Sequence, residues 1–210
     1  MERTLSDSEK NEIAALYNRR YQKKGRDIST VGWGSVESQL LRFEMVTRGL
    51  ELNGKAILDI GCGLGDFITF LRKKTNTFRY TGIDIATDLV EDARSRHSGN
   101  HIKFVTGDFL ETKFTEKYDL VFNSGSLNYR VLENESLARA FIAKMVDYTK
   151  DVVAVNFLSK YVDFEHPKHY HYSPEEMFRF AKSLSDHVSL FHDYALWEFT
   201  IQIRMSPIDC

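Results

Sequence analysis

Apolar residues in this chain change their spacing along its length, and the changes mark out its elements. From residue 56 onward, short apolar runs alternate with stretches in which apolar side chains recur every three or four positions. The runs predict strands near 56–60, 79–84, 102–107, 118–123 and 152–158, and the periodic stretches predict helices near 65–74, 87–96 and 135–149. The last of these carries Leu137, Phe141, Met145 and Tyr148 as a core-facing stripe. Such an alternation folds into parallel strands crossed over by helices on both faces of one sheet. Ser173, Pro174 and Glu176 then read as the N-cap, first turn and capping-box acid of a further helix that runs to about Leu184.

The C-terminal part changes period. Residues 188–194 and 196–205 read as two strands joined by a very short connection. In the second, Trp197, Phe199, Ile201, Ile203 and Met205 alternate with Glu198, Thr200, Gln202 and Arg204. A hairpin here makes the final strand antiparallel to the rest. Upstream, residues 7–22 are polar and predicted helical, and glycine-bearing chain follows at Val31, Gly32, Trp33 and Gly34. With no repeat, low-complexity tract or linker, the 210 residues read as one domain, a cap segment over 1–40 on a core over 41–210.

Chemistry concentrates where the first core strand ends. Ala56, Ile57, Leu58 and Ile60 are its buried part, Asp59 is the one polar break, and Gly61, Gly63 and Gly65 alternate just beyond it. Glycines spaced in this way permit a tight turn and let a ligand approach the main chain, while the next helix points its N-terminal N–H groups into the turn. The pattern indicates a nucleotide or nucleoside site. A dinucleotide fingerprint requires glycine at position 66, which is Asp66 here. Nor is there the lysine with which a P-loop meets a pyrophosphate.

The G-x-G-x-G turn with an acid on the strand before it resembles motif I of the class I S-adenosylmethionine-dependent methyltransferases, in the small bacterial form that acts on small molecules. The resemblance covers about residues 40–205. It implies an α/β, doubly wound, Rossmann-like sheet of seven strands with the last strand antiparallel and helices on both faces. It also implies S-adenosylmethionine as cofactor, S-adenosylhomocysteine as product, and no metal. By that resemblance Asp59, Gly61, Cys62, Gly63 and Gly65 hold the amino-acid end of the cofactor. Asp84, with Ile85 beside it, accepts the ribose hydroxyls; Asp108 takes the adenine amino group, with Phe109 near the ring; Asn123 completes the set. A helix cap or ordinary turn carboxylate is the other reading of Asp84 and Asp108. Cys62 reads as a small residue lining the turn rather than a nucleophile.

Before the core, Tyr17, Tyr21, Trp33, Gln39 and Arg42 are placed to fold over the cofactor, as similar enzymes do. Arg42 is expected to pair with the cofactor carboxylate and Trp33 or Tyr21 to cap the methionine end; an exposed arginine among core aromatics is the alternative. On the acceptor side, Asn123-Ser124-Gly125-Ser126 stands where amine methyltransferases of nucleobases and glutamine carry Asn/Asp-Pro-Pro-Tyr. This departure points to a small-molecule hydroxyl or amine, with Asn128 and Tyr129 as pocket wall. After the fifth strand, Glu165, His166, His169, Tyr170, His171 and Tyr172 crowd one loop. Their spacing fits no common zinc pattern. His166, His169, His171 and Tyr129 are therefore candidate general bases, and Tyr170 and Tyr172 candidate substrate contacts. His192 is expected in a strand, and His97 and His101 on the surface.

Composition narrows the class. A formal charge of −2 without a long basic run makes KKGR at 23–26 and RKK at 72–74 solvated faces rather than a nucleic-acid footprint. No apolar run reaches membrane length, and the opening MERTLSDSEK lacks the apolar stretch of a secretory signal. The two cysteines, Cys62 and Cys210, form no disulfide framework, which points to the cytoplasm. The expectation is a cytoplasmic methyltransferase acting on O or N of a small-molecule acceptor, a natural product or carbohydrate precursor. An RNA or protein methyltransferase and a non-catalytic S-adenosylmethionine-binding protein are the alternatives, and a membrane partner is not expected.

Overall fold

The fold was taken from a computed structural model that describes residues 4–207. Cys210 lies outside the described residues, as do the first three positions of the opening segment. Six α-helices and seven strands follow in chain order: α1 Asp7–Lys24, α2 Val36–Val46, β1 Ala56–Ile60, α3 Asp66–Lys74, β2 Arg79–Asp84, α4 Thr87–Arg96, β3 Ile102–Thr106, β4 Tyr118–Ser124, α5 Asn134–Tyr148, β5 Thr149–Leu158, α6 Pro174–Lys182, β6 His187–Phe191 and β7 Glu198–Arg204. Short 3-10 turns stand at Ile28–Thr30 and Ser126–Asn128.

All seven strands form one sheet in the order β3-β2-β1-β4-β5-β7-β6. The first five are parallel, and β7 runs antiparallel between β5 and β6. The doubly wound sheet with its reversed last strand is thus present as the pattern predicts. Side-chain alternation explains why both faces are covered. Leu58, Ile60, Val121, Val153 and Val155 turn to one face, where Leu137, Phe141 and Met145 of α5 and Met177 and Ala181 of α6 cover them. Ile57, Leu120, Phe122, Val152 and Ala154 turn to the other, against Phe43 and Val46 of α2 and Phe67, Phe70 and Leu71 of α3. Phe43, Phe67, Phe70 and Phe122 interlock there, with ring centroids 4.4–5.7 Å apart. Each such pair adds about 0.5–1.5 kcal/mol beyond its burial.

Local signals set the helix ends. Ser6 and Glu9 close a capping box on α1, and Ser173 caps α6 ahead of Pro174. Three expectations need correction. The β6–β7 connection spans residues 192–197 and is no tight hairpin; His192 stands in it, exposed, instead of within a strand. His97, expected at the surface, is buried against Phe104 beneath the glycine turn. The polar side of β7 is also buried, because α2 lies over it: Gln202 donates to the carbonyls of Val46 and Arg48 at 3.2 and 3.1 Å.

Candidate active site

The sheet order reverses between β1 and β4, the place where open α/β sheets leave a crevice at the carboxyl ends of their strands. A cavity of about 1180 Å³, its open mouth included, occupies that crevice. The turn from β1 into α3 forms its floor. Gly63 donates its N–H to Asp84 Oδ2 at 2.8 Å, and Ala86 donates to Oδ1 at 2.9 Å. Asp84 is thereby aimed across the end of β2. Gly63 has φ +51°, and a Cβ there would stand 2.9 Å from Val31 Cγ1, so this position needs glycine on both counts.

Four carboxylates line the cavity, Asp66 at the start of α3 and three that follow the strand ends in sequence: Asp59 at β1, Asp84 at β2 and Asp108 after β3. Burial raises these last three. Asp59 accepts the Tyr80 hydroxyl at 2.7 Å, which opposes the burial, yet with Asp84 and Asp66 nearby its pKa stands at about 7. At Asp84 the backbone N–H groups work against burial. Asp108 Oδ1 accepts the Leu110 N–H at 2.9 Å, whereas Oδ2 is buried without a hydrogen-bond partner, its nearest cation being Lys10 at 3.7 Å. Cys62 is a free buried thiol whose pKa burial pushes well up, which suits a wall residue and not a nucleophile.

The N-terminal segment forms the roof. Tyr21 and Arg26 both donate to Asp92 Oδ1 at 2.9 Å, and Gln22 donates to Asp88 at 2.9 Å, which ties α1 to α4. From that helix Ile13 and Tyr17 reach the cavity, while Tyr21 is spent on the anchor. Val31 and Trp33 close over the turn. Trp33 is held from two sides. Its ring lies where a Cβ on Gly125 would fall, and Gly125 has φ +95°. Behind the ring, the Arg42 guanidinium stacks at 4.1 Å from its centroid. Arg42 Nε donates to both Glu198 oxygens at 3.0 and 2.8 Å, Nη2 donates to the same carboxylate, and Nη1 donates to the Ser38 carbonyl at 2.9 Å. Arg42 is not among the cavity-lining residues; Glu198 has taken its charge.

The remaining sequence-predicted residues divide. Gly61, Cys62, Gly63, Ile85, Phe109, Trp33 and Tyr129 line the cavity, as do Gln39 and Asp66, which are joined by a hydrogen bond of 3.2 Å. Gly65 and Asn123 stand behind it: Gly65 caps α3, and Asn123 donates to the Ile60 carbonyl at 2.9 Å and to Ser126 Oγ, joining β1 to the loop after β4. Asn128 and Tyr172 staple the loops after β4 and β5, with Asn128 Oδ1 accepting the Leu158 N–H and the Tyr172 hydroxyl donating to the Leu127 carbonyl. His171 is buried on the Ser159 carbonyl, Tyr170 donates to Glu135, and the His166 and His169 rings lie 5.0 Å apart outside the cavity wall. Tyr129 is the one candidate base on the wall, its hydroxyl donating to Glu12 at 3.0 Å.

Sequence reasoning missed the Glu198 partner of Arg42, the apolar lining from Leu5, Ile13, Leu137 and Phe141, and Arg20 packed on the lining residue Tyr17. The spacing of Ile13, Tyr17 and Arg20 on α1 was the available signal for two of these. Among the described residues no group of three His, Cys, Asp or Glu side chains is arranged to hold a metal ion, and no helix is long and apolar enough to cross a membrane.

A family model described as a methyltransferase domain matches residues 57–164, and the chain belongs to that family, the S-adenosylmethionine-dependent class I methyltransferases. It is 29% identical over 157 residues to a methyltransferase-family protein of Mycobacterium tuberculosis, a match covering 71% of this chain and 92% of that one. A malonyl-[acyl-carrier protein] O-methyltransferase of Acetivibrio thermocellus is 35% identical over 83 residues, 38% of this chain and 29% of its own length, so the likeness spans under a third of that enzyme. In fold the chain is similar to the S-adenosylmethionine-bound magnesium protoporphyrin IX methyltransferase of Synechocystis, with a TM-score of 0.68 at 19% identity over 98% of this chain and 100% of that one.

Proposed function

We infer that this methyltransferase transfers a methyl group to an oxygen or nitrogen of a small-molecule acceptor, a natural product or carbohydrate precursor, with residues 1–40 as cap and 41–210 as catalytic core. The observation that carries the cofactor assignment is the row of three carboxylates in one partly closed cavity. A phosphate chain would be repelled there. A ligand with an ammonium, a diol and an exocyclic amine instead finds an acceptor for each, at Asp59, Asp84 and Asp108 in turn. The Oδ2 of Asp108, which accepts no hydrogen bond and has only the Lys10 ammonium at 3.7 Å, is the clearest fit, since a buried carboxylate oxygen calls for a donor.

When bound, S-adenosylmethionine supplies a methyl group already activated on a sulfonium. The residues of this chain then have to bind, align and exclude water. The Gly61–Gly63 turn lets the ligand lie against the main chain, and Val31 and Trp33 cover it. The acceptor enters between Trp33, the loop after β4 and α1, where Ser124, Gly125 and Tyr129 face the cavity. Proximity supplies most of the acceleration, so an acceptor nucleophilic at neutral pH needs no base. Where a proton must leave, Tyr129 is on the wall and His169 pairs with it by a strand-like bridge, while His166 and His171 do not line the cavity. The test is release of S-adenosylhomocysteine from S-adenosylmethionine over a panel of hydroxy, carboxy and amino acceptors. Acceptor-dependent release supports the reading. Tight cofactor binding with no release on any acceptor would assign a binding protein, and release only with RNA or protein would move the acceptor class.

A further inference from the structure

The cavity is polarised. Its acids lie at the β1, β2 and β3 ends, whereas α1, on the opposite wall, carries beside its lining residue Tyr17 a cation that the cofactor assignment leaves unused. Ile13 and Tyr17 of α1 line the cavity, and Arg20 continues their stripe one turn further on. Its guanidinium lies 5.1 Å from the Tyr17 ring centroid, and its Nη1 is 3.5 Å from where a side chain on Gly32 would begin. Arg20 is half-buried, and no carboxylate among the described residues forms an ion pair with it. The nearby Glu12 carboxylate is exposed and receives the Tyr129 hydroxyl.

Two further groups share this field. His169, held across from Tyr129 by their bridge, has its pKa lowered by burial and, after that, by His166, His171 and Arg20. Burial and Glu12 raise the Tyr129 phenol while Arg20 opposes them. A guanidinium stays charged at any working pH, and one partly stripped of water without a counter-ion is stabilised by a ligand that brings an anion.

Resting on the methyl-transfer reading of the cavity, we propose that Arg20, flanked by Tyr17, Tyr129 and His169, is a subsite for an oxyanion, a carboxylate or phosphate, carried by the methyl acceptor. This makes the acceptor an acidic small molecule whose apolar part lies on Ile13, Leu127 and Val131. A bidentate guanidinium contact also fixes which of its atoms faces the methyl group.

The experiment is calorimetric titration of the full chain with benzoate and with inorganic phosphate, with and without saturating S-adenosylhomocysteine, alongside the His169 ring-proton signal. Wild type is expected to bind at least one anion and shift that signal. Arg20→Gln should weaken this about tenfold, the loss of one charge-assisted contact. Arg20→Lys should retain part of it, and S-adenosylhomocysteine affinity should stay within about twofold in both variants, because nothing in the cofactor site is removed. Binding of neither anion, or binding untouched by Arg20→Gln, would overturn the subsite. A tenfold loss of S-adenosylhomocysteine affinity in Arg20→Gln would overturn it too, giving the guanidinium to the cofactor carboxylate. Failure of wild type to bind S-adenosylhomocysteine would instead overturn the proposed function, and the titrations without it would still judge Arg20.

Discussion

Glu198→Gln isolates the support behind the Trp33 wall. The Glu198 and Arg42 side chains are 2% and 10% exposed, so their pairing is a desolvated one rather than a screened surface contact. Removing one charge leaves the other buried beside an indole with no counter-charge, which costs about 3–5 kcal/mol. For a chain of this size each kcal/mol moves Tm by about 2–4 °C, so a fall of about 6–20 °C is expected. The lower end applies if the glutamine oxygen keeps one guanidinium hydrogen bond. An apolar replacement of both, Arg42→Met with Glu198→Leu, should regain most of the stability, because no charge is then stranded. It should not regain cofactor affinity, since Trp33 has lost the cation stacked on it. Urea unfolding followed by tryptophan fluorescence, with S-adenosylhomocysteine titration on the same variants, reads both effects. A cost below about 1 kcal/mol for Glu198→Gln, or single effects that simply add in the double variant, would refute a coupled buried pair.

Two titrations give further expectations. Asp59, with its pKa near 7, must ionise to take an ammonium, so S-adenosylhomocysteine affinity should rise from pH 5 to 7 with uptake of the ligand releasing a proton; the slope is up to about tenfold per unit. Asp59→Asn should flatten that slope, and a wild-type profile already flat from pH 5 to 7 would contradict the role. His97 has both ring nitrogens without a hydrogen-bond partner, and burial with Arg96 and Arg72 holds its pKa at about 4 against an ordinary 6.5. The unfolded chain therefore takes the proton first as the pH falls. The stability His97 contributes is complete above about 6.5 and lost as the pH drops through 4, so the urea midpoint should fall over that window less steeply in His97→Leu. An equal slope in both proteins would reject this.

The parts of the site readable from sequence are those imposed by the backbone. Gly61, Gly63 and Gly65 announce a turn that side chains would block, and Asp84 and Asp108 stand where their strands end, so local spacing sufficed. The parallel sheet followed from the alternation of strands and helices, and its reversed last strand from the change of period at the C-terminus. What escaped was set by partners distant in the chain. Arg42 reads as a free cation until β7 brings Glu198 to it, a contact across 156 positions. The alternation in β7 shows two faces, but nothing in that spacing shows that α2 lies over the polar one. His97 reads as a loop histidine until the glycine turn is folded on top of it. The histidine-rich loop drew notice by composition, yet its backbone and tyrosines mostly staple two loops together, and only Tyr129 beside it reaches the cavity.

Whether Asp59, Asp84 and Asp108 hold the cofactor is read by titration calorimetry with S-adenosylhomocysteine, with ATP as the competing ligand and Asp84→Asn as the control. Saturable one-to-one binding of S-adenosylhomocysteine is expected, weakened about tenfold or more in Asp84→Asn through loss of charge-assisted hydrogen bonds, with no comparable binding of ATP. No heat from S-adenosylhomocysteine, or ATP binding more tightly than it does, would take the cofactor away from these three acids.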